Sequence, residues 1–480
     1  MLCGPSLAES RPLSQLAFFQ PMINVTGLLT MQRFFRKTVL AAGLVFASQI
    51  ALADDLVTIL ELAMRNDPTL RQAQAQLRSG QQQVIQARAS LLPQASASFT
   101  EQRQASGLEG QVTLTDLDQE TTRYGVNVSQ SVLNLASWYS YQGAKEADQA
   151  RMFNFQAQEQ DLIIRVASAY FNVLRAIDDL NTRRQEEEAS QRQFERTQQR
   201  EEVGLVAITE VYEAQAAYDL ARNNTILAED ILASSYEALE AITGQPHPNI
   251  DVLREDFPVT PADGDIEQWV SEAMNNNPQL QAALAGVDAQ TLIAKARRSD
   301  HLPTVSLQGG YQNTESNSTR GADGSLRDAG AIEGASLSLT VSVPLFSGFA
   351  TTARREQAEY DLVAQQESAN LARRQVTQDI RNAFRRVNTD AMVIAQRQQA
   401  IVSAEAALNA IEAGYEVGTR NIVDVVLARQ QLFVALRNYS DARYNYVIDT
   451  LQLKRTAGVL TPQDVIDLNE WLEAETASAQ

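Results

Sequence analysis

"EEVGLVAITEVYEAQAAYDLARNN", residues 201–224, returns in altered form as "YEVGTRNIVDVVLARQQLFVALRN", residues 415–438. The matched positions are Val203-Gly204 with Val417-Gly418, Ile208 with Ile422, Glu210 with Asp424, Val211 with Val425, and Ala214 with Ala428. A second pair, "AMRNDPTL" from Ala63 and "AMNNNPQL" from Ala273, keeps almost the same offset. Two pairs at nearly the same offset indicate a tandem duplication of the whole chain, so a repeat architecture is considered first.

The start of the sequence resembles an export signal. Residues 31–53, "MQRFFRKTVLAAGLVFASQIALA", combine a basic start, an apolar stretch and an A-x-A cleavage site, the three parts of a secretory signal peptide. Roughly a dozen apolar residues are too few for the alternative, a transmembrane anchor. Cleavage is therefore expected after Ala53, and residues 1–30 are interpreted as an upstream extension.

Composition narrows the class of protein. The chain has 480 residues, a formal net charge of −19, two histidines and one cysteine, Cys3, which cleavage removes. The mature chain then has no disulfide, no cysteine metal site and no lipid anchor. The acid excess argues against a nucleic-acid partner, because phosphates require a basic surface. An exported, acidic, cysteine-free chain fits a bacterial envelope.

An enzyme is the main rival class. His247 and His301 lie beside prolines, and neither belongs to a recognisable catalytic or metal-binding motif. Both are interpreted as loop histidines. We therefore expect no catalytic activity, no metal and no cofactor.

Two long tracts, residues 94–245 and 345–461, contain no proline. Because proline is the strongest breaker of regular structure, both tracts can hold long helices. Residues 135–203 predict one helix, about 100 Å long at 1.5 Å per residue. After a glycine turn, returning helices are predicted over residues 209–242 and 421–456.

A seven-residue repeat of apolar side chains in the second tract indicates coiled-coil packing. Its members are Ile380, Val387, Ile394, Ile401, Leu408 and Tyr415. The same register in the first half reads Val166, Val173, Leu180, Glu187, Phe194 and Glu201. The polar run over residues 181–202 that interrupts it is interpreted as a solvated helix face.

Short segments before each long helix alternate apolar and polar residues, the pattern of a strand with two different faces. They are "QASASFT" (94–100), "YGVNVSQSV" (124–132), "TVSLQGGY" (304–311) and "SLSLTVSVPLF" (336–346). Together they predict two hairpins, over residues 94–133 and 303–347. Strands of about ten residues are long enough to cross a membrane at a tilt.

Four strands cannot close a barrel. Outer-membrane barrels begin at eight strands, and an open edge in lipid leaves backbone groups unpaired at several kcal/mol each. The chain is therefore expected to oligomerise. Two copies give eight strands, whose own side chains fill the interior, whereas three give twelve and can leave a lumen. A channel thus implies a trimer; soluble hairpins that cap a coiled coil are the alternative.

Four motifs carry a family resemblance: "AYFNVLRAID" (169–178), "VGLVAIT" (203–209), "HLPT" (301–304) and "EAGYEVGTRNIVDV" (412–425). They resemble the best-marked segments of the TolC-type outer-membrane efflux channels, and the match runs from residue 54 to about residue 470. The resemblance implies a mainly α fold with a small β part. In the implied homotrimer, long coiled-coil helices form a twelve-helix α-barrel tunnel. Four strands per chain contribute to a twelve-stranded transmembrane β-barrel.

The resemblance also implies a function. The trimer would be the exit duct of a tripartite efflux pump or type I secretion system, in the bacterial outer membrane and extending into the periplasm. The implied partners are a periplasmic adaptor (membrane fusion) protein, an inner-membrane transporter of the RND, ABC or MFS type, and outer-membrane lipid. The alternative is a trimeric coiled-coil spacer or adhesin without a pore, which would not need two strand hairpins at matching repeat positions.

The duplication and the resemblance together divide the chain into regions. In order, these are 54–93 (helical, first repeat), 94–133 (barrel hairpin), 134–243 (tunnel helices with a turn near 204), 244–265 (equatorial connector), 266–302 (helical, second repeat), 303–347 (barrel hairpin), 348–457 (tunnel helices with a turn near 418) and 458–480 (equatorial tail).

The resemblance assigns candidate functional residues to the two helix–helix turns, six of which would ring the mouth of a trimer. The implied adaptor-docking residues are Val203, Gly204, Leu205, Val417, Gly418 and Thr419. The implied periplasmic gate links Tyr415 and Arg420 to the pair Thr209-Glu210, where the family has Thr-Asp. Asp424 would form an acidic selectivity ring, and Leu427 stands where relatives commonly have a second acid.

Each candidate also has a purely structural interpretation. Gly204 and Gly418 are suited to end helices. Asn421 with Asp424 is an ordinary N-cap pair, favoured by the helix dipole. Tyr415 lies on the heptad stripe and could be a core residue; it becomes a gate candidate through the resemblance alone.

Overall fold

The computed structural model describes residues 55–106, 117–316, 319–320, 326–327 and 330–473. The upstream extension, the signal segment, parts of the loops between the strands and the last seven residues lie outside the described residues.

The described elements follow one another in this order: α1 (Leu56–Asn66), α2 (Pro68–Ala89), β1 (Gln94–Ser106), β2 (Leu117–Leu133), α3 (Leu135–Glu202), α4 (Ile208–Thr243), β3 (Val252–Leu253), α5 (Ile266–Asn276), α6 (Pro278–Ser299), β4 (Thr304–Ser316), β5 (Thr319–Arg320), β6 (Leu326–Arg327), β7 (Gly330–Ser342), α7 (Ala350–Glu416), α8 (Ile422–Ala457), α9 (Pro462–Asn469) and β8 (Leu472–Glu473).

The duplication is visible in the helix lengths. Helices α1 to α4 have 11, 22, 68 and 36 residues, and α5 to α8 have 11, 22, 67 and 36. Asp67 ends α1 and caps α2 by accepting the backbone N–H of Leu70 at 2.7 Å. Asn277 does the same between α5 and α6, with Leu280 at 3.0 Å. A proline follows each cap at the first helical position, where its missing N–H has no consequence.

The long helices predicted from the proline-free tracts are confirmed. Helix α3 begins where the Asn134 side chain accepts the Ser137 backbone N–H at 3.0 Å, and its 68 residues span about 100 Å. Helices α4 and α8 match the predicted returning helices to within one residue at each end. Within the described ranges, none of the helices combines the length and apolarity needed to cross a membrane.

The heptad prediction holds for α7, and in α3 the register is interrupted by the polar run as predicted. All members of the α7 stripe are buried except Ile401, which is partly buried. In α3 the stripe is buried as far as Leu180, but further along the buried side chains are Gln193 and Thr197. They satisfy each other, because the Thr197 hydroxyl donates to the Gln193 carbonyl at 2.9 Å and the Gln193 amide donates to Thr197 Oγ1 at 3.2 Å.

The interpretation of the α3 polar run as a solvated face is wrong where α3 meets α8. Arg437 of α8 lies 3.3 Å from Glu186 and 3.5 Å from Asp179 of α3. Arg183 lies 3.3 Å from the same Glu186. Glu186 and Arg437 are largely buried. These charges therefore pair two helices rather than face water, which a single-helix pattern cannot reveal.

The two predicted hairpins join in one antiparallel sheet of order β1-β2-β4-β7. One row across it runs through Ala97, Val126, Tyr311 and Ala335, and the next row on that face runs through Ala95, Val128, Gly309 and Leu337. A row on the opposite face runs through Ser96, Asn127, Gly310 and Ser336. The sheet therefore has one apolar and one polar face. Leu337 and Leu339 on the apolar face are 77% and 64% exposed in the single chain.

The connector and the C-terminal tail meet beside the middle of the long helices. Strand β3 pairs with β8, which sets Leu253 opposite Leu472. The buried Tyr170 of α3 donates its hydroxyl to the Asp251 carbonyl at 2.6 Å. Arg165 of α3 donates two hydrogen bonds to the Asp67 carboxylate, at 2.9 and 3.0 Å. Burial alone would raise the pKa of Asp67, but this pairing helps to lower it below its usual value.

Candidate functional site

Both copies of the turn quoted at the outset end a long helix in the same way. In the first copy the Leu205 N–H donates to the Arg200 carbonyl at 2.8 Å and the Gly204 N–H donates to the Glu201 carbonyl at 2.7 Å. In the second, the Thr419 N–H donates to the Gly414 carbonyl at 2.9 Å. This Schellman pattern needs a left-handed residue, and Gly204 and Gly418 have φ of +73° and +77°. The cap interpretation of the two glycines is thus confirmed.

The turns project away from the rest of the chain. Val203, Leu205 and Val417 are 69%, 69% and 75% exposed. Among the described residues, a Cβ added at Gly204 or Gly418 would meet no atom within 4 Å. Glycine is therefore required here by the backbone and not by lack of space, and the surface around it is open to a partner.

The helices that follow the turns begin differently. Helix α4 is preceded by Ala207, whose side chain forms no capping hydrogen bond. Helix α8 starts at a capping box in which Asn421 accepts the Asp424 N–H at 2.9 Å and Asp424 accepts the Asn421 N–H at 3.4 Å. Arg420 lies 3.8 Å from the same Asp424 carboxylate. Asp424 is thus a helix-capping residue, and its additional role as a selectivity ring stays a prediction.

Tyr415 and Glu210 meet although they lie in different repeats. The Tyr415 hydroxyl donates to Glu210 Oε2 at 3.1 Å. The ring packs against Ile422 and Val425, so that only 9% of Tyr415 is exposed. Burial and the Glu210 charge raise the pKa of Tyr415, which keeps its hydroxyl a donor. Tyr415 is therefore at once a core residue and a polar link.

The other two gate candidates take different places within one chain. Thr209 is exposed in the first turn of α4. The ion pair that Arg420 forms in the described part of the chain is with Asp424, in its own helix segment, and not with Glu210. A link from Arg420 to Thr209 or Glu210 stays a prediction, to be made with a neighbouring chain.

Sequence reasoning missed two residues of this site. The Arg200 guanidinium lies over the Tyr415 ring, 4.9 Å from its centroid. The buried Thr197 also lies beside Tyr415, where it acts to lower the pKa of the tyrosine against the larger, opposite effect of burial. Both residues belong to the polar run of α3. The signal that could have found them is their spacing, because Gln193, Thr197 and Arg200 follow at four and three residues on one helix face.

The histidines take no part in this site. His247 is buried and its Nε2 lies 2.8 Å from the Thr243 hydroxyl, whereas His301 is exposed. Within the part of the chain that the structure describes, no group of three or more histidine, cysteine, aspartate or glutamate side chains could hold a metal ion.

Two helices about 100 Å long, each followed by a shorter returning helix, lie between a two-faced sheet at one end and exposed turns at the other. This arrangement defines a class: channel proteins of the outer membrane with a helical tunnel. The pattern of the outer membrane efflux protein family matches residues 59–245 and 269–459, and the chain belongs to this family.

Individual relatives agree with this assignment. Outer membrane protein TolC of Vibrio cholerae is 36% identical over 436 residues, covering 90% of this chain and 97% of that protein. Proteases secretion protein PrtF of Dickeya chrysanthemi is 27% identical over 434 residues, covering 88% and 92%. A crystal structure of the channel protein CusC has the same fold, with a TM-score of 0.72 at 16% identity over 84% of this chain and 92% of that one.

The protein is therefore an outer-membrane channel of the TolC type that serves as the exit duct of an efflux or type I secretion system. The predicted family, the outer-membrane location and the fold class of long tunnel helices with a small β part are confirmed, whereas the count of twelve strands stays a prediction. The alternative, a coiled-coil spacer or adhesin without a pore, is not supported.

Proposed function

We propose that three copies of the chain close one twelve-stranded barrel in the outer membrane. The observation that carries this proposal is the sheet with two free edges. Strands β1 and β7 form the edges, and each has 13 residues. Because the four strands alternate in direction, β7 of one copy can pair antiparallel with β1 of the next. Such head-to-tail pairing closes into a ring and leaves no edge in lipid.

The two faces of the sheet favour a membrane location over a soluble one. The apolar face, with Leu337, Leu339 and Val341, would contact lipid, and the polar face would line the lumen. Residues 94–133 and 303–347 then form the barrel, 134–243 and 348–457 the tunnel, and 244–265 with 458–480 the equatorial region. The duct itself needs no catalyst or cofactor.

The exposed turns would dock a periplasmic adaptor protein, through which an inner-membrane transporter of the RND, ABC or MFS type delivers its cargo. Each chain contributes two turns, so a trimer offers six similar sites around the mouth. The exposed Val203, Leu205 and Val417 supply apolar contact area at each turn, flanked by Gly204, Gly418 and Thr419.

The Tyr415–Glu210 bond would hold the mouth closed within each chain, and Arg420 with Thr209 would add links between chains. The exposed links of Arg420 and Thr209 would contribute about 0–1 kcal/mol each, so closure requires several contacts around the ring. Asp424 would form one ring of three carboxylates, which concentrates cations at the entrance.

A substitution at one turn tests the docking proposal. Gly418→Trp is expected to abolish drug efflux while the amount of outer-membrane oligomer stays normal, because the bulky ring blocks the adaptor. Gly418→Asn is the matched control, since asparagine tolerates the left-handed backbone and adds little bulk. The measurement is antibiotic susceptibility of a strain that depends on this channel. Normal efflux with Gly418→Trp would mean that docking lies elsewhere.

A further inference from the structure

Three segments converge on one aromatic ring at the tunnel mouth. Tyr415 lies in the last turn of α7, Arg200 in the last turn of α3, and Glu210 in the first turn of α4. Glu210 accepts the Tyr415 hydroxyl at 3.1 Å, and the Arg200 guanidinium covers the ring face at 4.9 Å. One tyrosine is thus held at its edge and at its face by residues on either side of the first turn.

The backbone couples the two residues that hold Tyr415. The Arg200 carbonyl accepts the Leu205 N–H at 2.8 Å and so closes the turn that leads into α4. The position of Arg200 therefore fixes the path of the chain toward Glu210. Thr197, one turn earlier in α3, adds a hydroxyl beside Tyr415 and is itself fixed by its bond to the Gln193 carbonyl.

Arg420, which the family resemblance offers as the cation of the gate, is engaged elsewhere in the chain. It lies 3.8 Å from Asp424, four residues further along. Arg200 is the cation that contacts the Tyr415 ring. A planar guanidinium stacks on an aromatic face and restricts how the ring can swing, which a hydrated ammonium on a flexible stem does less well.

We propose that Arg200 is a positioning residue of the gate. It holds the Tyr415 ring so that the hydroxyl points at Glu210, and thereby ties the end of α3 to the end of α7 when the mouth is closed. This proposal rests on the proposed gate function of the Tyr415–Glu210 bond. Loss of the stacked cation leaves Tyr415 free to turn away from Glu210, and the coil of α7 and α8 separates more readily from α3 and α4.

The test is single-channel recording of the purified oligomer in a planar bilayer, with the ratio of open to closed time as the readout. Arg200→Gln is expected to raise that ratio about two- to fivefold, the factor corresponding to a cation–π contact at a partly exposed site. Arg200→Lys should give an intermediate ratio, because it keeps a cation near the ring but loses the planar stacking of the guanidinium. Arg196→Gln, an exposed arginine one turn earlier, is the matched control and should behave as the unchanged protein.

A double variant separates positioning from a general loosening of the turn. Tyr415→Phe removes the hydroxyl that Arg200 positions, so Arg200→Gln added to Tyr415→Phe should raise the ratio no further. Two outcomes would show that Arg200 has no positioning role: Tyr415→Phe opens the channel but Arg200→Gln does not, or the two effects multiply in full in the double variant. The proposed gate would then not depend on Arg200. If neither single variant changes the ratio, the proposed gate itself is wrong.

Discussion

Two residues at the start of α8 combine a structural and an electrostatic task. Asn421 and Asp424 cap the helix through reciprocal hydrogen bonds, and Asp424 also faces Arg420. A cap bond stabilises a helix by about 1 kcal/mol. The cap explains why the chain has a short acid at this point. It is made within one chain and does not depend on an oligomer. The proposed trimer would give Asp424 a second consequence, a ring of three carboxylates at the mouth.

Asp424→Ala is expected to remove most of the block that multivalent cations exert from the periplasmic side, because it removes the ring charge. The measurement is single-channel conductance with divalent or trivalent cations added on that side. Asn421→Ala is the matched control: it breaks the same cap and keeps the carboxylate, so block should persist. Equal block in the unchanged protein and in Asp424→Ala would leave Asp424 as a cap and nothing more.

The gate residues divide into those that local sequence can and cannot reveal. The heptad stripe predicts that Tyr415 faces the neighbouring helices, and the glycine turns predict where the mouth lies. The bond from Tyr415 to Glu210 joins residues 205 positions apart, and the stacking of Arg200 on Tyr415 also joins different helices. No pattern within one helix encodes such contacts. The role of Arg200, which lies in a run of polar residues, therefore could not be predicted.

Helices α7 and α8 carry an acid pair within their interface. Burial and the neighbouring Asp449 of α8 raise the pKa of Asp390 from 3.8 to about 6, while Arg386 acts in the opposite direction. Asp390 therefore binds its proton more tightly in the folded chain than in the unfolded chain. The stability that this proton contributes is fully present below about pH 3.8 and is lost as the pH rises through about 6.

Asp390→Asn is expected to flatten this pH dependence, because an amide keeps the shape and polarity of the acid but does not titrate. The measurement is the apparent Tm of the detergent-solubilised oligomer at about pH 5 and about pH 8. The unchanged protein should lose more Tm on going to the higher pH than Asp390→Asn does. Glu188→Gln, at an exposed acid of α3, serves as control. A variant with the same pH slope as the unchanged protein would contradict the assignment.

Element boundaries could largely be predicted from sequence because their causes are local. Absence of proline, a capping asparagine and a left-handed glycine set the ends of α3. The strand bounds were predicted less well, since alternation indicated residues 336–346 whereas β7 covers Gly330–Ser342. Whether the polar run in α3 is exposed or buried could not be predicted. Whether Arg183 and Glu186 face water depends on the presence of Arg437, which reaches them from a helix more than 200 residues away.

At the scale of the whole molecule, the four-stranded sheet joins the two repeats and determines how the chain can assemble. Its joining of two repeats, β2 against β4, could not be predicted from one hairpin, because the paired residues lie about 190 positions apart. The alternation of its faces could be predicted, and it gives the sheet an apolar surface that is exposed within the described part of the single chain. In the proposed trimer, lipid would cover that face and neighbouring copies would pair with the edge strands β1 and β7.

Leu339→Arg is expected to reduce the amount of heat-resistant oligomer in outer-membrane fractions, because arginine facing lipid near the bilayer midplane costs about 2–4 kcal/mol. Ser338→Arg, one residue earlier on the polar face, is the matched control and should assemble. Equal assembly of both variants would remove the claim that the apolar face contacts lipid.

Cross-linking of the two sheet edges tests the central claim, a ring of three copies, most directly. With Cys3→Ser to remove the natural cysteine, Ala97→Cys on β1 is combined in turn with a cysteine at three same-face positions of β7, namely Glu333, Ala335 and Leu337. A disulfide forms where the Cα atoms of neighbouring copies lie about 4.4–6.8 Å apart. After oxidation in intact membranes, denaturing gels should show one register that yields covalent dimers and trimers and nothing larger. A largest species of two copies, or a ladder that continues beyond three, would contradict the trimer.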